Sequence, residues 1–339
     1  MRNFIFGLGL VFLACGSTKM SQVDADAGVD ASTPTGGMGG MGGSTVFNPI
    51  IVDGGAGETG MDAGNVVHIT TTLPAGFTKA DVGGYLLGDT VSSATGEAGA
   101  ANDTCGNILL GIVRDFKRSD VGGHPDFETF SGSDVTPNLV SMTLGADQKP
   151  VYASKCEQGN PSPAPVCPYG AQTTTRANFN QWYHDTAGIN QPYYVYLYLA
   201  PEAGGLYTFQ SLEYFPLDGA GFKDMANGDD GKQHNFAFTT EVHTQFRYAG
   251  GETFQFQGDD DVWVFINNHL AVDLGGLHSK QLRKITLNDS ASALGLIQGK
   301  VYPLDLFHAE RHTNQSTFRI DTNLSFVNCG SVVPDNPPK

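Results

Sequence analysis

The chain reads as an all-β protein, an antiparallel β-sandwich or barrel with one short helix. Apolar and polar residues alternate in one segment after another from residue 65 to about 328. Gly, Pro and Asn interrupt these segments at short intervals, and a single stretch carries helical spacing.

Val66–Thr72, Ile108–Phe116, Tyr193–Leu199 and Leu206–Phe209 are the early strand candidates. In Phe236–Tyr248, Phe238, Val242 and Phe246 share a face predicted to point at a core. Glu241, His243, Gln245 and Arg247 share the opposite face. Phe254 and Phe256 then alternate with Thr253, Gln255 and Gln257, until Gly258-Asp259-Asp260-Asp261 breaks the strand. Val262–Ile266 resumes it with apolar residues on both faces, which predicts an internal strand with Trp263 in the core. Asn tolerates positive φ, so Asn267-Asn268 predicts a two-residue type I′ hairpin into Leu270–Leu274. Tyr302–Glu310 and Phe318–Phe326 complete the strands. Phe179, Trp182 and Tyr183 recur at i, i+3, i+4 ahead of Gly188, predicting a helix that plugs one end of the barrel or sandwich.

The N-terminal residues predict export. Arg2 precedes an apolar run, Phe4–Leu13, too short for the about 20 residues of a membrane span but suited to a signal peptide. Phe12-Leu13-Ala14-Cys15-Gly16 resembles a bacterial lipoprotein box, with Phe12 where such a box has Leu, and implies acylation of Cys15. Residues 16–64 are rich in Gly, Asp and Ser and predict a disordered tether. The expected domain spans 65–329, with a disordered tail at 330–339. Localisation is therefore expected at the outer membrane or cell surface through a lipid anchor, with secretion as the alternative.

The formal net charge is −16, from 19 basic against 35 acidic residues, which argues against nucleic acid and anionic surfaces as partners. No oligomer signal is evident. With Cys15 set aside, Cys105, Cys156, Cys167 and Cys329 form an even set and read as two disulfides, for which three pairings exist. The Gly/Pro/Ser/Asn loop between Cys156 and Cys167 favours that pair, leaving Cys105 with Cys329.

Two segments carry a family resemblance: Phe256–Asn267 followed by Val272–His278, and Asp305–His312 with Phe318–Thr322. Together with Val113–Phe116, His124–Glu128 and Asn178–Tyr183 they resemble the fibro-slime domain over about residues 66–326. That domain is similar to the wider PA-fourteen group of β-barrels or sandwiches, whose core would fall at about 190–328. The resemblance places Asp259 and Asp260 at the group's paired-aspartate positions, which in adhesin members are joined by a cis peptide and bind calcium that touches a sugar hydroxyl. A cis bond would bring two adjacent side chains to one side of an extended segment, and the cation would offset their repulsion. The resemblance also puts a second ligand loop at 310–316, with Asn314 as its side-chain ligand and Asp261, His312 and Gln315 as further ligand-contacting candidates.

The function expected is a non-enzymatic, calcium-dependent cell-surface adhesion or extracellular-matrix module, with a polysaccharide or glycoconjugate as candidate ligand. A structural matrix protein without a glycan ligand is the alternative, and a metal-dependent hydrolase the weaker one. His308, Glu310 and His312 alternate, and with Glu241 and His243 they suggest either a zinc site or a satisfied polar network behind the binding loop. No nucleophile elbow or phosphate loop occurs in the sequence, and no Gly-x-Gly-x-x-Gly is placed to open a helix after a strand.

Overall fold

A computed structural model describes residues 73–91, 107–153, 155–313 and 315–328. Cys15, Cys105, Cys329, Asn314, the expected tether and the Val66–Thr72 strand lie outside them. Among the described residues the protein is all-β, as its patterning predicts, with two short α-helices. In chain order the elements are β1 (Thr78–Lys79), β2 (Gly84–Thr90), β3 (Ile108–Asp115), β4 (Val140–Leu144), β5 (Pro150–Tyr152), α1 (Arg176–Asn180), β6 (Gln191–Tyr198), β7 (Ala200–Glu202) and β8 (Leu206–Ser211). There follow β9 (Ala226–Asn227), β10 (Gln233–His234), β11 (Phe238–Arg247), β12 (Thr253–Gly258), β13 (Asp261–Ile266), β14 (His269–Leu274), β15 (Gln281–Thr286), α2 (Leu287–Ser290), β16 (Val301–Glu310), β17 (Phe318–Thr322) and β18 (Ser325–Asn328).

A large sheet runs β1-β2-β6-β3-β11-β16-β13-β14-β4-β5, with β18 also paired to β11. A smaller sheet runs β15-β12-β17-β8-β7, and β9 and β10 form a separate hairpin. Adjacent long strands are antiparallel. The two sheets sandwich one core: Phe238, Val242, Val262, Val264, Leu304 and Leu306 on one side, Phe209, Phe254, Phe256, Phe318 and Ile320 on the other.

β13 and β16 are apolar on both faces because the large sheet has a second cover. Trp263, Phe265, Phe307 and Ala309 point away from the smaller sheet and pack with Phe116, Phe127, Phe179, Trp182 and Tyr183. The helix thus covers the outer face of the large sheet and does not plug an end. It is only five residues long, capped by Thr175, whose side chain accepts from the Asn178 amide at 3.1 Å. Trp182 and Tyr183 follow it in the turn beyond.

This outer layer also explains Glu241 and His243, which face away from the inter-sheet core yet are buried. Glu241 accepts from Arg114 at 2.6 Å and is ion-paired with Lys149, while His243 sits between Asp305 at 2.6 Å and Glu241 at 2.5 Å. Asn267 and Asn268 have φ of 50° and 62° and form the expected two-residue hairpin, Ile266 pairing with His269. The expected strand Phe318–Phe326 is split: β17 lies in the smaller sheet and β18 in the large one. Asn323 marks the switch, its side-chain oxygen accepting from the Thr253 amide at 2.7 Å.

Cys156 and Cys167 are bonded, 5.6 Å apart at Cα, and both are buried in the outer layer. Replacing both by Ser should lower stability by about 2–3 kcal/mol, since the closed loop is short. An unchanged denaturant midpoint would show that the loop is held by its packing alone.

Candidate functional site

At one end of the sandwich several connections pass between the sheets, and two of them, neighbours in space, carry the acidic residues. The first leaves β12 after Gly258, paired with Phe318, and enters β13 at Asp261, paired with Ala309. The second leaves β16 after Glu310 and enters β17 at Phe318. Gly258 is required where they meet, because a Cβ there would stand 2.8 Å from the Thr317 carbonyl oxygen.

Asp259 and Asp260 form the first crossing. The sole cis peptide among the described residues is Ala164–Pro165, so the bond joining the two aspartates is trans, contrary to the geometry the resemblance implies. Asp260 turns the chain instead by adopting φ of 55°, a left-handed conformation that Asp tolerates better than most residues. Both side chains are buried. Asp259 accepts from the Thr317 amide at 2.6 Å and Asp260 from the Arg311 amide at 2.9 Å, so each carboxylate ties its own crossing to the other.

A cavity of about 310 Å³ opens over this pair. Asp259 and Asp260 line it together with Leu277-His278-Ser279, with His312, Thr313 and Gln315 of the second crossing, with Asp229 of the β9–β10 loop, and with Ser131-Gly132 of the outer layer. The structure therefore brings Asp259, Asp260, His312 and Gln315 to one place. Gln315 donates to Asp229 at 3.1 Å.

Asp261 goes elsewhere. It is fully buried, does not line the cavity, accepts from the Gly276 amide at 2.6 Å, and pairs with the buried Arg311 guanidinium at 2.6 and 2.7 Å. Arg311 also donates to the Asp126 and Gln172 carbonyls at 3.1 and 3.0 Å and lies 4.5 Å over the Trp182 ring. Sequence reasoning missed this arginine, although it follows Glu310 directly in the segment that carries the resemblance. It also missed Glu128, which accepts from the Thr313 amide at 3.1 Å and hydroxyl at 2.8 Å and so braces the second crossing.

The expected His/Glu cluster is divided by the sheet. His308 and Glu310 face the inter-sheet side, while Glu241 pairs with Phe307 and His243 with Asp305 on the other face. No zinc cluster can form across that backbone; Glu241 and His243 form a satisfied polar network, whereas the inter-sheet half is not satisfied in the same way. Both ring nitrogens of His308 and both carboxylate oxygens of Glu310 are buried without a hydrogen-bond partner.

Burial dominates the electrostatics. It pushes the Asp260 carboxyl up to about 8, with Asp259 adding to the shift and Arg311 opposing it. Asp259 is raised for the same first reason, and Glu310 rises well above the carboxylate range through burial and then the nearby Asp260 and Asp259. Burial lowers His308 to about 3, leaving it neutral. Among the described residues no three His, Cys, Asp or Glu side chains already surround a common point as a metal would require. The donors present are nonetheless hard carboxylate oxygens, which fits calcium and not zinc.

Residues 220–335 match the model of the PA14 domain family. That span contains most of the cavity and both crossings, while Ser131 and Gly132 lie outside it. The chain is 38% identical over 213 residues to Protein psiR of Dictyostelium discoideum, covering 60% of this chain and 20% of that one. It is 38% identical over 206 residues to Protein psiD of the same organism, covering 60% of this chain and 38% of that one. The chain thus spans well under half of these relatives, which are not bacterial lipoproteins. A crystal structure of a beta-glucosidase from Kluyveromyces marxianus with glucose shares 14% identity over 62% of this chain and 26% of that one, at a TM-score of 0.19, and carries no argument.

Arg311→Met should cost about 3–5 kcal/mol in urea unfolding, because it leaves the Asp261 charge buried and unpaired. Adding Asp261→Asn to that variant should restore part of the loss; no recovery would assign Arg311 to packing alone. The Asp260 carboxyl has a higher pKa folded than its ordinary 3.8, so the folded state binds the extra proton and stability falls as pH rises from about 4 to about 8. In chelator, the melting temperature of Asp260→Asn should therefore gain on wild type across that window. A constant difference would count against the shift.

Proposed function

We propose that this chain is a non-enzymatic, calcium-dependent binding module that takes a hydroxyl-rich ligand, an extracellular polysaccharide or glycoconjugate, in the cavity over Asp259 and Asp260. The observation that carries the proposal is the composition of that cavity: two buried carboxylates beneath walls of His, Ser, Thr and Gln. Its volume lies at the low end of the about 300–1,000 Å³ typical of ligand pockets, the scale of one or two sugar rings. No aromatic side chain lines it, and Trp263 is fully buried, so recognition would come from coordination and hydrogen bonds and not from ring stacking.

Calcium takes 6–8 oxygen ligands, and when bound it would offer open positions to vicinal hydroxyls. Asp259 and Asp260 would hold it, with Asn314 and backbone carbonyls of the second crossing as further ligands. The trans peptide does not oppose this assignment, because the αL turn at Asp260 leaves both carboxylates along one cavity. The match to PA14 and the fibro-slime resemblance support the same reading, as does a net charge that attracts cations. In this proposal the domain is displayed outside the cell, anchored through Cys15.

A glycan array probed in calcium and in chelator tests the reading. Calcium-dependent signals that vanish in an Asp259→Ala/Asp260→Ala variant are expected. Stabilisation by calcium with no glycan signal would instead favour a structural matrix role.

A further inference from the structure

The calcium reading leaves Glu310, a buried group outside the lining of the cavity, without a role. Glu310 ends β16 one residue beyond Ala309, the partner of Asp261, and its carboxyl stands close to those of Asp260 and Asp259. Like charges so placed repel. Glu310 is fully buried, without a donor in good geometry on either carboxylate oxygen, and its carboxyl lies close to Ser316 and to the Asp260 carboxyl. Ser316 is close, but its hydroxyl is donated to the Tyr214 carbonyl at 2.9 Å. Arg311, the next residue, is committed to Asp261 and to two carbonyls. His308, on the same face two residues back, packs against Phe318 and Phe238 and offers no charge.

An acid withdrawn from water among other acids keeps its proton unless a positive charge takes the proton's place. Arg311 is engaged by Asp261, His278 and Lys280 act on Asp259, and two of the groups beside Glu310 are carboxyls. A hard divalent cation is the compensating group that this arrangement fits.

We propose that Glu310 is the third carboxylate of the cation site, an inner-sphere ligand that closes the ion from the β16 side while Asp259 and Asp260 hold it from the cavity. The proposal rests on the calcium reading above. The three carboxyl groups do not yet surround a common point, so binding would draw them together around the ion. Three carboxylates would favour divalent over monovalent ions and raise affinity through ligand charge. They also assign different work to two neighbouring acids: Asp261 is neutralised by Arg311 and is structural, whereas Glu310 is kept for the ion.

The test is calcium calorimetry, paired with terbium luminescence, on wild type and Glu310→Gln. Wild type should bind one ion at this site, and the variant should bind it at least about tenfold more weakly. The variant's melting temperature in chelator should equal or exceed that of wild type, because an unpaired buried acid has been removed. If wild type binds and Glu310→Gln binds equally well, the role of Glu310 is overturned while the calcium reading stands. If wild type binds neither ion, both fall. Should Glu310→Gln not fold, Glu310→Asp keeps the charge but withdraws it by one methylene. Weaker binding by that variant supports the proposal, and unchanged affinity overturns it.

Discussion

Carboxylates crowd together where two neighbouring connections pass between the sheets of a β-sandwich, and that crowding governs this end of the molecule. Asp259, Asp260, Asp261 and Glu310 lie within a few residues of the crossings, and all four are buried. The fold could have placed neutral residues there. One of the four acids is neutralised by Arg311, and two are partly satisfied by backbone amides of the facing crossing. The fourth, Glu310, has no charged partner of opposite sign and lies against the Asp260 carboxyl. Such an arrangement is unfavourable as an isolated structural element, and it makes sense as a place where an external positive charge is received.

Three consecutive aspartates thus divide into two roles because of the pleat and the turn. Asp261 begins β13 and points to the side where Arg311 reaches it, locked through Asp126, Gln172 and Trp182 to the outer layer. Asp259 and Asp260 precede the strand, and the left-handed turn at Asp260 keeps both along the cavity. The outer layer is therefore part of the site. It supplies Ser131 and Gly132 to the cavity and braces Thr313 through Glu128, so the span that matches PA14 is completed by residues that precede it.

Much of the fold could be read from periodicity. Alternation located β3, β6, β11, β12, β13, β14 and β16 to within about two residues, and Asn267-Asn268 marked its hairpin through a local backbone preference. The second cover on the large sheet was harder to see. Val262–Ile266 being apolar on both faces signals burial on both sides, but alternation alone cannot say that residues 116–190 provide one of them. The sheet switch at Asn323 was hidden for a similar reason, since the apolar pattern runs on while the hydrogen-bond partner changes. In the site, the acids were legible as a run. Their separation into paired and unpaired groups depends on Arg311, whose partner is 50 residues away in sequence.

Anomalous diffraction from crystals grown with calcium and with a lanthanide tests the central claim most directly. The account predicts one strong peak at the sandwich end, within about 2.3–2.6 Å of oxygens from Asp259, Asp260 and Glu310. A peak remote from these residues, or none while the carboxyls stay in mutual contact, would show that their crowding is relieved by protons and that no ion is received there.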